Sequence, residues 1–469
     1  CALPIVVGPF LITIGFIVPA PRAKSSCGPL RGDCFVKVCL VEKQRRIFGL
    51  PLLYWGLWLA ILILWMGRFV ISFMSMYLVS QLHVDAGVAG TVVSMYGFGG
   101  IFGCLFGGAL SDRFGRQPMI VIGEIGAAVM LVILSFIDDP TVMGATLLVY
   151  GAISSIPTPA VAAYIADVVP IRDQKRAYTL QTWAINFGFA TGPIIANQLV
   201  KVSYALMFYT EAAVLVAVTV MLIVFFRTMH VPIRMGGTAS ADADAVVGTV
   251  AETDPEVAGA SRVSLVDNYR RALADWPLMS MVLLMFGYTI AYFQSTSGLP
   301  IAMTQLGLGT DEYSMLLTIN GGILCVLQIP VIAVFKRMSN TRVLVLGMLM
   351  TAVGYAFQIG ATSWVGLAAA TVLWSLGELG TFPIAATTVA NLAPDDCRGT
   401  YQGVYNLVWS MSHGVAPLVG GWVISSFGSR FLWEACTAMF VLVAFGLWAT
   451  RGARERAVVR NLRRHAVES

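Results

Sequence analysis

The sequence predicts an all-α membrane protein of twelve transmembrane helices. Three observations carry this: composition, the spacing of apolar runs and the placement of charge. Of 469 residues, 57% are hydrophobic and only 12% are charged, against about 25% charged in an ordinary soluble domain. The mean hydropathy is +0.78. A water-soluble fold cannot hide that much apolar surface, which disfavours a soluble enzyme or a nucleic-acid-binding domain. A span needs ~20 apolar residues, so this length accommodates about a dozen.

Twelve long apolar runs follow residue 50: 51–80, 88–110, 118–136, 142–167, 177–200, 204–226, 276–304, 312–335, 342–360, 364–392, 400–426 and 430–450. In hydrocarbon the backbone must bond to itself, so each run is expected to be a helix. Lys and Arg in the connectors set the orientation. One side collects Lys43, Arg45, Arg46, Arg113, Arg116, Arg172, Lys175, Arg176, Lys336, Arg337, Arg342, Arg398 and the Arg-rich tail. The other side has only Lys201 and Arg430, with Asp85, Asp138, Asp139, Asp311 and Glu312. Both termini and the long middle loop are therefore expected in the cytoplasm, and the protein in the cell membrane.

The expected organisation follows. Residues 1–50 form an N-terminal extension without the basic n-region of a signal peptide. It is expected to be poorly ordered, or to reflect a misplaced start. Residues 51–227 form a first six-helix half and 276–450 a second. The linker 228–275 contains a small, polar, acidic stretch (236–261) that cannot bury a core. After it, Leu265, Tyr269 and Leu273 recur at i, i+4, i+8 beside Arg270 and Arg271, which predicts a short helix on the membrane surface. Residues 451–469 form a basic cytoplasmic tail. Of eight cysteines, Cys104, Cys325, Cys397 and Cys436 are read as free thiols. No cysteine pair has metal-ligand spacing, and no metal or cofactor is expected.

The halves match at a constant offset of about 224 residues. Pro159 pairs with Pro383, Pro170 with Pro394, Pro193 with Pro417, and Gly97 with Gly321. A parallel repeat of two six-helix halves is the arrangement of alternating-access transport, with the substrate site near the midplane between them.

Between the second and third runs lies Gly108-Ala109-Leu110-Ser111-Asp112-Arg113-Phe114-Gly115-Arg116-Gln117. It resembles the signature loop of the major facilitator superfamily, G-x-x-x-D-R-x-G-R-[RK], with Gln in the last basic place. The resemblance covers residues 50–450 and implies the major facilitator fold. It also implies a conformational latch of Gly108, Asp112, Arg113, Gly115, Arg116 and Asp167 on the cytoplasmic side. The glycines permit a tight turn and close approach. Asp112 can face the dipole of the eleventh helix, and Arg113 and Arg116 can pair with Asp167. In the fifth run, Gly188-Phe189-Ala190-Thr191-Gly192-Pro193-Ile194-Ile195-Ala196-Asn197 is similar to the antiporter motif of drug:proton exporters, G-x-x-x-G-P-x-x-G-G. Ala196 and Asn197 replace its final glycines. Small residues four apart let helices pack closely, and Pro193, like Pro417 in the eleventh run, is expected to bend its helix.

Charges inside the membrane cost at least ~2.5 kcal/mol each, so each is a functional candidate. Arg68 lies near the middle of the first run and Glu378 near the middle of the tenth. Glu378 is the leading proton-coupling residue, with His413 as a rival. Glu124, Glu211 and Glu434 lie on runs three, six and twelve, nearer membrane edges, and are read as structural or snorkelling. The cavity wall is expected from Arg68, Tyr288, Tyr292, Gln294, Asn320, Trp374 and Asn406, with Tyr77, Phe293, Gln328 and Trp409 nearby. Aromatic faces with few polar groups suit amphiphilic molecules.

The expected function is thus secondary active transport: proton-coupled export of drug-like or amphiphilic small molecules by a monomer. An alternative is proton symport of a small organic anion anchored on Arg68. A non-transporting membrane receptor is a remote alternative. There is no H-E-x-x-H helix and no G-x-S-x-G elbow, so no catalytic residues are assigned and an enzyme is not expected.

Overall fold

In the computed structural model the chain is nearly all helical. The structure describes residues 46–228, 265–335, 338–394 and 398–468. Most of the N-terminal extension, the acidic stretch 236–261, Lys336, Arg337 and Cys397 lie outside the described residues. Ten helical segments among the described residues are long and apolar enough to cross a membrane.

Before the linker run α1 (Leu52–Gly67), α2 (Val70–Ser80), α3 (Ala86–Phe114), α4 (Arg116–Leu134), α5 (Pro140–Ser155), α6 (Pro157–Val168), α7 (Ile171–Val200) and α8 (Tyr204–Thr228). After it come α9 (Leu265–Ala274), α10 (Trp276–Tyr292), a 3-10 turn (Phe293–Ser295), α11 (Gly298–Gln305), α12 (Thr310–Phe335), α13 (Asn340–Gly360), α14 (Trp364–Leu392), α15 (Arg398–Phe427), α16 (Ser429–Ala449) and α17 (Arg451–Glu468).

Three expected single helices are instead broken, each for a local reason. The first run divides into α1 and α2 at Arg68–Phe69, where the backbone leaves helical geometry. Glu211 of α8 makes the break tenable: its Oε2 accepts from the N–H groups of Phe69 (3.0 Å) and Val70 (2.8 Å). A helix start leaves N–H groups unsatisfied, and here another helix caps them. The fourth run divides at Ile156, because Pro157 and Pro159 cannot extend α5 but suit the first turn of α6. The seventh breaks over Phe293–Ser297, a polar stretch whose carbonyls bond hydroxyls: Thr296 and Ser297 both donate to Phe293 O.

Some of the connector acid is capping. Asp85 Oδ2 accepts from Gly87 N–H at 2.7 Å, and Asp139 Oδ1 from Thr141 and Val142 N–H at 2.9 Å. Gly115, at φ 95°, makes the corner from α3 to α4, a conformation that glycine adopts without strain.

Among the described residues, the helices before and after the linker meet chiefly along α3 with α15 and α7 with α12, and also where α2 meets α11. The first is a backbone contact: a side chain at Gly90 would run into Pro417 O, and one at Gly97 into His413 and Gly414. In the second, Asn186 Nδ2 donates to Gln328 Oε1 (3.1 Å), and Asn197 Nδ2 and Lys201 Nζ both reach Asp311 Oδ1 (2.6 Å each). These contacts run from the end holding Lys201 and Asp311 towards the middle of the helices. At the opposite end, a side chain added at Gly108 would meet nothing. Gly97→Ala is therefore expected to destabilise by about 1–3 kcal/mol through forced backbone shifts, and Gly108→Ala to be neutral or slightly stabilising. Thermal unfolding in detergent checks the pair.

Helix α9 is amphipathic in its exposure, with Tyr269 and Leu273 exposed and Ala272 buried. The basic segment Arg451–Glu468 is helical. Arg454 is buried and donates to Leu447 O and Thr450 Oγ1, capping the C-terminus of α16. That arrangement complements the negative helix end.

Candidate functional site

Four residues expected at the cavity, Tyr288, Tyr292, Asn320 and Trp374, converge with Glu378 on one buried cluster. Glu378, midway along α14, accepts from Tyr292 Oη at its Oε1 (2.8 Å) and from Asn320 Nδ2 at its Oε2 (2.9 Å). Asn320, on α12, also donates to Ser375 Oγ (3.0 Å). Tyr288 stacks on Tyr292 with centroids 5.9 Å apart, and Trp374 meets Tyr292 edge-on at 5.9 Å. Tyr292 sits at the last turn of α10, so the break in this span lies beside the carboxylate. Among the described residues Glu378 has no cationic partner, and both of its hydrogen-bond donors are neutral. Such a group can hold or release a proton without breaking an ion pair.

Arg68 is placed differently. Its Nη2 contacts both oxygens of Glu124 on α4 (3.1 and 3.0 Å). Glu211 lies in the same region, with Tyr150 donating to its Oε1 (3.1 Å). Of the two readings offered for Glu124 and Glu211, structural or snorkelling, burial favours the structural one: they are 3% and 1% exposed. A charge this deep needs a partner or a set of hydrogen bonds, and each carboxylate has one. The guanidinium is thus engaged by an acid on its own side of the linker. Glu434 fits the structural reading, pairing with Arg430 one helical turn away (3.0 Å).

The remaining candidates scatter. Gln294 is buried and bonds Ala416 O (2.8 Å) and Ile290 O (3.2 Å), so its amide is engaged in packing α15. His413 lies where α3 crosses α15, with Nδ1 against Trp409 O (2.9 Å) and its ring 4.0 Å from Phe293. Asn406 is exposed on α15. Gly188 and Gly192 press α7 against Trp65 and Met66 of α1. Pro193 and Pro417 lie inside the continuous helices α7 and α15.

In the signature loop, Arg116 Nη1 is ion-paired with Asp167 and donates to Ala163 O (2.6 Å). Arg113, also expected at Asp167, instead lies over the Phe114 ring at 5.4 Å. The Asp112 side chain lies outside the described residues. The Arg116–Asp167 pair is partly exposed, so it is expected to contribute no more than ~1 kcal/mol. Arg116→Ala and Asp167→Ala should accordingly show a coupling of about 0.5–1 kcal/mol in a double-mutant cycle. Additive losses would mean that the two do not interact in solution.

The sequence reading missed Phe382, whose ring stands 5.1 Å from Tyr292 and 4.5 Å from Trp409. It also missed Tyr150 and the cap formed by Glu211. A lone acid in an apolar run was the available signal for Glu211, but its partners lie 141 and 142 residues away along the chain.

Signature loop, membrane-length helices and buried charge now stand together. A family model for the Major Facilitator Superfamily matches residues 57–327 and 281–467. The chain belongs to the major facilitator superfamily. This is a family of transporters, not of enzymes. The MFS-type transporter YttB of Bacillus subtilis, itself uncharacterized, is 25% identical over 364 residues, covering 76% of this chain and 84% of that protein. The multidrug resistance protein MdtH of Yersinia pestis is 24% identical over 321 residues, covering 68% and 73%. A POT family transporter, crystallised with a thioalcohol-conjugated peptide, superposes with a TM-score of 0.72 at 14% identity. That match covers 88% of this chain and 99% of the other. At this identity the likeness concerns the fold.

Proposed function

We propose that this superfamily member is a proton-coupled exporter of drug-like or amphiphilic small molecules, working by alternating access. The observation that carries the reading is Glu378: a buried carboxylate with two neutral donors, set beside the break in the seventh span and walled by Tyr288, Tyr292 and Trp374. Protonation there changes the charge of the wall without dismantling an ion pair. The aromatic surroundings suit an apolar substrate. The similarity to MdtH, a multidrug resistance protein by name, supports export.

In this reading twelve spans form two six-helix halves. The offset of 224 residues supports it further: it carries Arg68 to Tyr292, Phe69 to Phe293, Tyr96 to Asn320 and Ser154 to Glu378. The break in the first span thus corresponds to the break in the seventh, and the polar residues around Arg68 correspond to those around Glu378. With both termini cytoplasmic in the plasma membrane, the contacts between halves lie towards the outer end, as in an inward-facing state. The loop from Gly108 to Arg116 with Asp167 would then close the cytoplasmic end in the opposite state.

Uptake of an organic anion requires a cation free to receive it. Arg68 is held by Glu124, which argues against that alternative. The test is transport in inverted vesicles with a dye panel and an imposed pH gradient. Uphill movement of at least one amphiphilic dye, abolished by collapsing the gradient, is expected. A protein that moves none of them, or that accumulates organic anions in the opposite sense, would overturn the reading.

A further inference from the structure

We propose that Asn197, Lys201 and Asp311 form an outer clasp that holds the two halves together in the inward-facing state, and that Asn197 is the residue positioning it. The inference rests on the alternating-access reading and goes beyond it by assigning gating to three residues outside the signature loop.

Asn197 and Lys201 lie one turn apart near the C-terminus of α7, so both face the same way. Asp311 lies in the first turn of α12, across the seam. One carboxylate oxygen, Asp311 Oδ1, receives both Asn197 Nδ2 and Lys201 Nζ at 2.6 Å. Nearby, Phe73 of α2 packs edge-on against the buried Tyr313 of α12 at 5.4 Å. The clasp therefore sits above a dry contact between the halves.

Two features set Asn197 apart from a packing residue. It stands where the antiporter motif has glycine, so this chain carries a side chain where that motif has none. It is 5% exposed, and its Oδ1 is buried without a hydrogen-bond partner among the described residues. A buried amide oxygen left unmatched is unfavourable, and in return the amide nitrogen reaches the charged acceptor. The Lys201–Asp311 pair is about half exposed on each side. Alone it would hold the seam weakly, whereas the shielded, charge-assisted bond from Asn197 is the stronger member.

The device is reversible. Nothing in it is covalent, and a modest bias suits a gate that must open every cycle. Its three residues come from both sides of the linker, so opening the outer end must break it.

The test is hydrogen–deuterium exchange of the full chain in lipid nanodiscs, following peptides that cover 86–97 and 414–427 at the outer seam. Asp311→Asn and Asn197→Gly are each expected to raise exchange there by about fivefold, the response to a lost partly exposed contact of this kind. Exchange in the cytoplasmic halves of the same helices should fall or stay level. The charge swap Lys201→Asp with Asp311→Lys should restore protection, because the Asn197 amide can present its oxygen to a lysine as readily as its nitrogen to a carboxylate. Unchanged exchange in both single variants, or a swap no better protected than Asp311→Asn, would overturn the clasp. Exchange requires no substrate, so a protein that shows the clasp but transports no dye would refute only the proposed export activity.

Discussion

Glu378→Gln is expected to keep substrate binding and abolish transport driven by a pH gradient. The wild-type carboxylate accepts one hydrogen bond at each oxygen, from Tyr292 and from Asn320. Glutamine keeps the shape and one accepting oxygen. Its amide can donate to Asn320 once that side chain turns its own oxygen inward, so the cluster stays satisfied. What is lost is the proton. A charge at this depth costs at least ~2.5 kcal/mol on insertion scales, so loading and releasing a proton is a substantial energetic event that coupling can exploit. Uphill dye efflux in inverted vesicles should fall to the passive leak, while downhill exchange and binding in detergent persist. Arg68 cannot substitute, because a guanidinium stays protonated across the working range. If the Gln variant still drives uphill efflux with unchanged pH dependence, coupling lies elsewhere. His413, which lies at the seam between α3 and α15, becomes the next residue to replace.

Much of this site was legible because its residues obey simple rules. A carboxylate in an apolar run, flanked by aromatics, marks α14 without any structure. Position on the seventh, eighth and tenth runs led to Tyr292 and Asn320, which bond Glu378, and to Tyr288 and Trp374, which pack on Tyr292. The helices themselves were legible from length and hydropathy. The breaks were not. Arg68–Phe69 contains no proline, and its break depends on a carboxylate from α8, which no local pattern reveals. Gln294 reads as a cavity residue because it is polar and central; only packing shows that Gly420 leaves room for it against α15. The general limit is that hydrophobicity fixes where helices run, whereas pairing of buried charges depends on which faces meet.

The three acids on the third, sixth and twelfth runs show how far those environments diverge. The sharpest test is Glu211→Ala. Glu211 takes three hydrogen bonds: from the backbone N–H of Phe69, the backbone N–H of Val70 and the hydroxyl of Tyr150. Alanine strips all three donors of their acceptor at a site 1% exposed. Each buried unsatisfied donor costs about 1–3 kcal/mol. Local relaxation offsets part of the sum, so an overall loss of about 3–5 kcal/mol is expected, the scale seen when one member of a buried polar cluster is removed. Glu211→Gln should lie between, since its single oxygen can still cap one or both backbone groups but no longer serves Tyr150 as well. Glu434→Ala supplies the contrast. That carboxylate forms a solvent-exposed pair with Arg430, and its loss should change stability by less than about 0.5 kcal/mol. Apparent melting temperatures of the three variants in one detergent provide the measurement. An order Glu211→Ala, Glu211→Gln, Glu434→Ala from least to most stable supports the cap. Equal melting temperatures for Glu211→Ala and wild type would mean that the break at Arg68–Phe69 is held by something other than this carboxylate.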